Sequence, residues 1–170
     1  MKKVVVFGKP GSGKSVLSKK LASAIGIKLH ALDSIVYKQN GELVDSAIFE
    51  QAHEEILRAD SWIIDGFGPM ASFYKRLDVA DTLIYIDLPY VSSYWFVTKR
   101  LLKGLVVKPE GWPEGSSVFK GTWQSYKVLK RCPMFWNEQF MHKLEQLSTN
   151  KSLYVIKSVS ELNRFVDKNI

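Results

Sequence analysis

The chain has 170 residues, 46% of them apolar and 24% charged. That composition excludes a disordered segment and suits one globular domain with a real core. No apolar run approaches the ~20 residues a membrane-spanning helix needs, and the single cysteine, Cys132, excludes an internal disulfide. After Met1-Lys2-Lys3 only Val4 to Phe7 are apolar, too few for a signal-peptide core, so a cytoplasmic protein with no membrane partner is expected. The net charge of +7 is uneven. Between Leu88 and Arg131, eight cations face only Glu110 and Glu114, leaving +6 in that stretch. Such a basic segment points to an anionic partner, either the phosphates of a small molecule or a nucleic-acid backbone.

In chain order, Lys3 to Phe7 reads as a short buried strand. Leu17, Leu21 and Ile25 recur at helical spacing, predicting a helix over 14–25 that Gly26 stops. Ile27 to Leu32 reads as a second strand with Asp33 at its end, followed by a polar turn over 38–42. Asp45 or Ser46 caps a helix with Phe49, Ala52, Ile56 and Leu57 on its apolar face. Trp62-Ile63-Ile64 is a third strand ending in Asp65-Gly66, and a short helix is predicted over 70–77. Thr82 to Leu88 is a fourth strand, in which Asp87 reads as a capping or turn residue. A helix over 91–102 follows, and the spacing of Val91, Trp95 and Leu102 predicts a core-facing stripe. Residues 104–121 are rich in Gly and Pro and read as a hinged loop. A helical stretch then runs to Leu147, kinked or split at Pro133. Ser152 to Ile156 is the last strand, and Ser158-Val159-Ser160-Glu161 opens the final helix as a capping box. Alternating strands and helices predict an α/β fold with a parallel sheet. Gly8, Asp33, Asp65 and Asp87 then converge at the carboxyl edge of that sheet, where such folds bind ligands.

The stretch Gly8-Lys9-Pro10-Gly11-Ser12-Gly13-Lys14-Ser15 fits G-x-x-x-x-G-K-[ST] at every fixed position, between a predicted strand and a predicted helix. Its glycines let successive N–H groups turn inward around an anion. The following helix adds the positive end of its dipole. In this pattern Lys14 reaches the β- and γ-phosphates, and the Ser15 hydroxyl is a ligand for Mg²⁺. The expected binding set is therefore Gly8, Pro10, Gly11, Ser12, Gly13, Lys14 and Ser15, with ATP and Mg²⁺ as cofactors. Magnesium sites also need a carboxylate. Asp65, closing an apolar strand, is the candidate metal residue alongside Ser15, and Asp33 is a candidate to orient water or accept a substrate proton.

With the loop, the segment Trp62-Ile63-Ile64-Asp65-Gly66-Phe67-Gly68-Pro69 resembles small nucleoside-monophosphate-kinase-like P-loop proteins. Asp65-Gly66-Phe67 matches the Asp-Gly-Phe-Pro-Arg stretch of adenylate kinases, but Gly68 is an extra residue before Pro69 and the arginine is missing. Residues 76–89, Arg-Leu-Asp-Val-Ala-Asp-Thr-Leu-Ile-Tyr-Ile-Asp-Leu-Pro, are more closely similar to the adenylate-kinase-related DNA topology modulation proteins of the FlaR type. The resemblance covers roughly the first half of the chain. It implies a three-layer P-loop NTPase fold with five parallel strands in the order 2-3-1-4-5, ATP and Mg²⁺ binding, and a lid, here an insertion at about 103–121 in one domain over 1–170.

Phosphoryl transfer spreads negative charge that an arginine can stabilise. Arg100 and Arg131, on either side of the loop, are the candidates, joining Lys14, Asp33 and Asp65 as the expected catalytic set. Trp112, inside the loop, is placed to stack or clamp a substrate. The leading expectation is an ATP-dependent small-molecule kinase with an unassigned acceptor. The second is a nucleic-acid-associated ATPase or binding protein, because tryptophans interleave with lysines in this half. His30, His53 and His142 have no metal-ligand spacing and receive no role.

Overall fold

A computed structural model describes residues 1–36, 42–104 and 118–169. Five strands form one parallel sheet: β1 (Lys3–Gly8), β2 (Leu29–Ala31), β3 (Trp62–Asp65), β4 (Thr82–Ile86) and β5 (Ser152–Ile156). Their order is β2-β3-β1-β4-β5, as expected from the sequence. Val6 lies beside Asp65 and Gly8 beside Ile86, so the carboxyl ends of β1, β3 and β4 line up.

Side chains along β1 alternate between two layers. Val4 and Val6 pack with Leu17 and Leu21 of α1 (Lys14–Ile25) and Phe165 of α8 (Val159–Asn169). Val5 and Phe7 face the other way, onto α3 (Ser46–Arg58), α4 (Met70–Val79) and α7 (Glu138–Leu147). In that second layer the Phe7 and Tyr85 rings stack at 5.3 Å, and Tyr85 stacks on Trp136 at 5.2 Å. Continuous β-branched strands buried on both faces are what a parallel sheet between helices requires.

Helix ends follow the local chemistry. Asp45 caps α3 by accepting from the Ala47 N–H at 2.8 Å. Ser158 caps α8 by accepting from the Glu161 N–H at 3.1 Å, as the capping-box pattern predicts, while the Glu161 carboxylate accepts from the Lys157 N–H at 2.7 Å, one residue before the cap.

Four sequence expectations change. β2 stops at Ala31: the Leu32 N–H makes the last bond to β3, to the Asp65 carbonyl at 2.9 Å, and Asp33 opens the short helix α2 (Asp33–Val36). β4 stops at Ile86, and Pro89 leads into α5 (Tyr90–Gly104). Pro133 does not split the next helix: α6 (Val118–Phe135) runs through it, and the break falls where Asn137 caps α7 by accepting from the Phe140 N–H. The predicted core stripe of α5 is also corrected, since Val91, Trp95 and Leu102 are exposed. Ser93 and Val97 are buried instead, and they face Gly11 of the phosphate loop.

Most of the expected lid, with Lys108 and Trp112, lies outside the described residues. α5 and α6, the two helices flanking it, pack against each other through the Tyr94–Tyr126 ring stack at 5.7 Å and a Thr98–Tyr126 hydrogen bond of 2.6 Å. Among the described residues no helix is long and apolar enough to cross a membrane.

Candidate active site

The phosphate loop joins β1 to α1 over Gly8 to Ser15. Gly8, Gly11 and Gly13 all have positive φ. Two of them also sit where no Cβ fits. At Gly8 it would lie 2.3 Å from the Ile86 carbonyl oxygen, and at Gly11 2.5 Å from that of Ser93. The loop is thus pressed between β4 and α5 by glycines that permit close approach. Gly13 is the N-cap of α1 and offers no side-chain cap, so the first amides of that helix are left for an anion. The Lys14 ammonium rests on the Lys9 carbonyl at 2.8 Å, folded over its own loop.

Lys9 itself is buried, which its place in the motif does not foretell. Its ammonium pairs with Asp87 at the end of β4 and lies 4.6 Å from the centre of the Tyr90 ring. The Asp87 carboxylate that reads as a turn residue in sequence therefore anchors the phosphate loop to the sheet. The residues are 78 apart, and no local pattern signals the pair.

Around Lys14 the fold gathers Asp65, Asp33 and Arg100. Burial lowers the Lys14 pKa, Asp65 and Asp33 oppose that shift, and Arg100 adds to it. Asp65 is buried, and burial raises its carboxyl pKa, against the pull of Lys14 and a hydrogen bond from Ser15. Its Oδ1 has no hydrogen-bond partner. An orphaned buried carboxylate oxygen beside a loop hydroxyl suits a hard cation, so Ser15 and Asp65 fit Mg²⁺. Among the described residues no group of three or more His, Cys, Asp or Glu side chains is placed to hold a metal.

Asp33 is exposed at the mouth of this cluster. Arg100 is half-buried on α5, donates to the Ser125 hydroxyl at 3.0 Å, and has its pKa lowered by burial with Asp33 opposing. Arg131 is exposed on α6. Lys14, Asp33, Asp65 and Arg100 are thus linked electrostatically, and Arg131 follows them on α6 beside Cys132, whose thiol also feels Lys9 and Lys14.

The fold adds a support that sequence reasoning missed. Leu32, fully buried, wedges beneath Gly66 and Gly68: a Cβ at Gly66 would stand 3.1 Å from that of Leu32, and one at Gly68 3.3 Å from its Cδ1. Arg76 of α4 is also fully buried and donates to the carbonyls of Gly66 and Phe67. Burial lowers its pKa to about 9. Its Nη1 lies 3.3 Å from Nε2 of His53, a buried imidazole whose pKa is lowered to about 4 by burial and by Arg76. A neutral His53 thus accepts from Arg76, and Arg76 fixes the turn after Asp65. The periodicity of α3 puts His53 one turn after Phe49 on the apolar face, the only hint of its burial in the sequence.

No protein-family model matches the chain. A 62-residue stretch, 36% of this chain, is 32% identical to the shikimate kinase of Mycobacterium ulcerans (strain Agy99) and covers 34% of that protein. A stretch of the same length is 31% identical to the shikimate kinase of Mycobacterium leprae (strain TN), covering 31% of it. The matched part spans about a third of the length of these curated relatives. Among solved structures, the shikimate kinase from Bacteroides thetaiotaomicron superposes with a TM-score of 0.52 over 97% of this chain and 94% of that one, at 14% identity. This is the P-loop kinase fold. It has the nucleoside-monophosphate-kinase arrangement, with five parallel strands and the phosphate loop after the first.

Proposed function

We propose that this protein is an ATP-dependent phosphotransferase acting on a small molecule. The observation that carries the reading is the meeting of Lys14, Ser15, Asp33, Asp65 and Arg100 at the carboxyl edge of the sheet. The kinase relatives and the shared fold support it.

The chemistry follows from the charges. ATP phosphates fill the loop amides, and Lys14 leaves the Lys9 carbonyl for the β- and γ-phosphates. Ser15 and Asp65 hold Mg²⁺, which offsets phosphate charge when bound. An acceptor oxygen attacks the γ-phosphorus, a new P–O bond forms, the bond to the β,γ-bridging oxygen breaks, and ADP leaves. Asp33, exposed at the site mouth, takes the proton when the acceptor is a hydroxyl. Arg100 stabilises charge on the transferring group. Arg131, next to Cys132 on α6, is a second cation for the same role.

The relatives' acceptor, shikimate, belongs in the acceptor panel with nucleoside monophosphates, nucleosides and small polyols. The narrower kinship with FlaR-type topology modulation proteins rests on residues 62–69 and 76–89. ADP release measured with each acceptor tests the function. One acceptor is expected to raise turnover well above background hydrolysis. Equal rates across the whole panel would sink the proposal.

A further inference from the structure

The outer flank of the α5–α6 pair has no place in phosphoryl transfer. Ser93 and Val97 turn one side of α5 to Gly11, and Trp95, midway between them in sequence, points away. At ~100° per residue, Val91, Trp95 and Leu102 fall on one flank of α5, and Phe119, Trp123 and Met134 on one flank of α6. All six are exposed: Val91 by 80%, Trp95 by 58%, Trp123 by 63% and Met134 by 82%. The two flanks adjoin the Tyr94–Tyr126 stack that joins the helices, since Trp95 follows Tyr94 and Trp123 lies one turn before Tyr126. The large exposed aromatics of the described residues, Tyr94, Trp95, Phe119 and Trp123, are all on these two helices.

Cations surround this surface. Lys99, Lys103, Lys127, Lys130 and Arg131 are exposed, Lys127 sits 5.9 Å from the centre of the Trp123 ring, and neither helix contains Asp or Glu. We propose that the outer flank of α5 and α6 docks on an anionic lipid bilayer, with Trp95 and Trp123 at the headgroup boundary and the lysines on the lipid phosphates. Tryptophan, leucine and valine beside lysine is the chemistry of an interfacial helix, and it requires no spanning segment. The aliphatic members argue against single-stranded nucleic acid, because Val91, Leu102 and Met134 offer no ring for a base. Pairing with a second copy would bring two uncompensated basic surfaces together. The orientation leaves Gly11 and the phosphate loop facing away from the lipid, so the inference does not depend on which acceptor is phosphorylated.

Flotation of the full chain with vesicles tests this, comparing equimolar phosphatidylglycerol and phosphatidylcholine with phosphatidylcholine alone. Binding is expected only to the anionic vesicles, with a blue shift of tryptophan emission and steep weakening by salt. The double variant Trp95→Ser, Trp123→Ser should lose about tenfold or more in affinity. Lys99→Glu with Lys127→Glu should lose a similar amount, with the melting temperature and ATP affinity of both variants unchanged. No binding to anionic vesicles would overturn the proposal, as would binding indifferent to both double variants. Transfer of the same variant sensitivity to single-stranded DNA, or to dimer formation in sedimentation, would also overturn it.

Discussion

The phosphate loop and the outer flank of α5 and α6 meet across a single helix, yet they are built on opposite rules. In the loop every close approach is filled: Gly8 against Ile86, Gly11 against Ser93, and Lys9 buried on Asp87. On the outer flank large side chains stand in solvent. These contacts fix the loop's backbone, and a fixed set of amides suits a ligand of fixed shape such as a phosphate chain. Among the described residues little packs over the flank, so its function depends on what covers it. The difference separates an interior machine from an exterior surface, and variants of each should leave the other untouched.

The largest effect is expected in the loop. Lys14→Ala should cut turnover by at least ~10²-fold to 10³-fold, in keeping with loss of one preorganised cation at the transferring phosphate, while vesicle binding stays as in wild type. Steady-state ADP release beside flotation checks both. A lysine variant that kept its activity would remove the loop from the mechanism.

Asp65→Asn should reduce magnesium-dependent turnover by ~10²-fold and at the same time raise the melting temperature of the ligand-free protein. Burial pushes the Asp65 carboxyl up, so ionising it costs more in the fold than in the unfolded chain. The protonated fold is favoured at low pH, and that advantage is lost as pH rises through the folded pKa. Magnesium-dependent ATP binding should accordingly weaken on acidification at a higher pH than an ordinary carboxylate would give. A calorimetric melt and an ATP titration against pH read the two signs separately.

Gly11→Ala probes the contact between loop and α5. Its Cβ would meet the Ser93 carbonyl oxygen at 2.5 Å and Val97 at 2.8 Å, at a φ of +73°. The expected loss is ~1–3 kcal/mol of stability, with weaker ATP binding as α5 is displaced.

A graded effect at acid pH comes from His53. Its pKa falls from 6.5 to about 4 in the fold, so its contribution is complete above 6.5 and is lost as pH drops through about 4. Stability should decline by roughly 1 kcal/mol per pH unit across that window. His53→Gln keeps an acceptor for Arg76 and should flatten the slope, which chemical unfolding at several pH values measures. The smallest effect is the absence of one: Trp95→Ser with Trp123→Ser should leave the ATP dissociation constant unchanged.

How far the chain could be read in advance follows the same division. The phosphate loop, α1 and the Ser158 cap of α8 were legible because each depends on residues close in sequence, whereas the strand order came with the resemblance to nucleoside-monophosphate-kinase-like proteins. The α5 stripe was misread because helical spacing says which residues share a face and nothing about what lies against it. The mutual approach of Asp33 and Asp65 depends on the Leu32 N–H to the Asp65 carbonyl, between strands that are distant in sequence. The Lys9–Asp87 and Arg76–His53 contacts are likewise partnerships between separate elements, and no short motif encodes them.

The central claim is that the loop of Gly8 to Ser15 carries phosphate from ATP to a small acceptor. Phosphorus NMR of ATP·Mg²⁺ with the acceptor panel tests it most directly. The account predicts a new phosphoryl resonance together with ADP for one acceptor, and its loss in Lys14→Ala. Only ADP and inorganic phosphate across the panel, or a product that Lys14→Ala still forms at the wild-type rate, would contradict it.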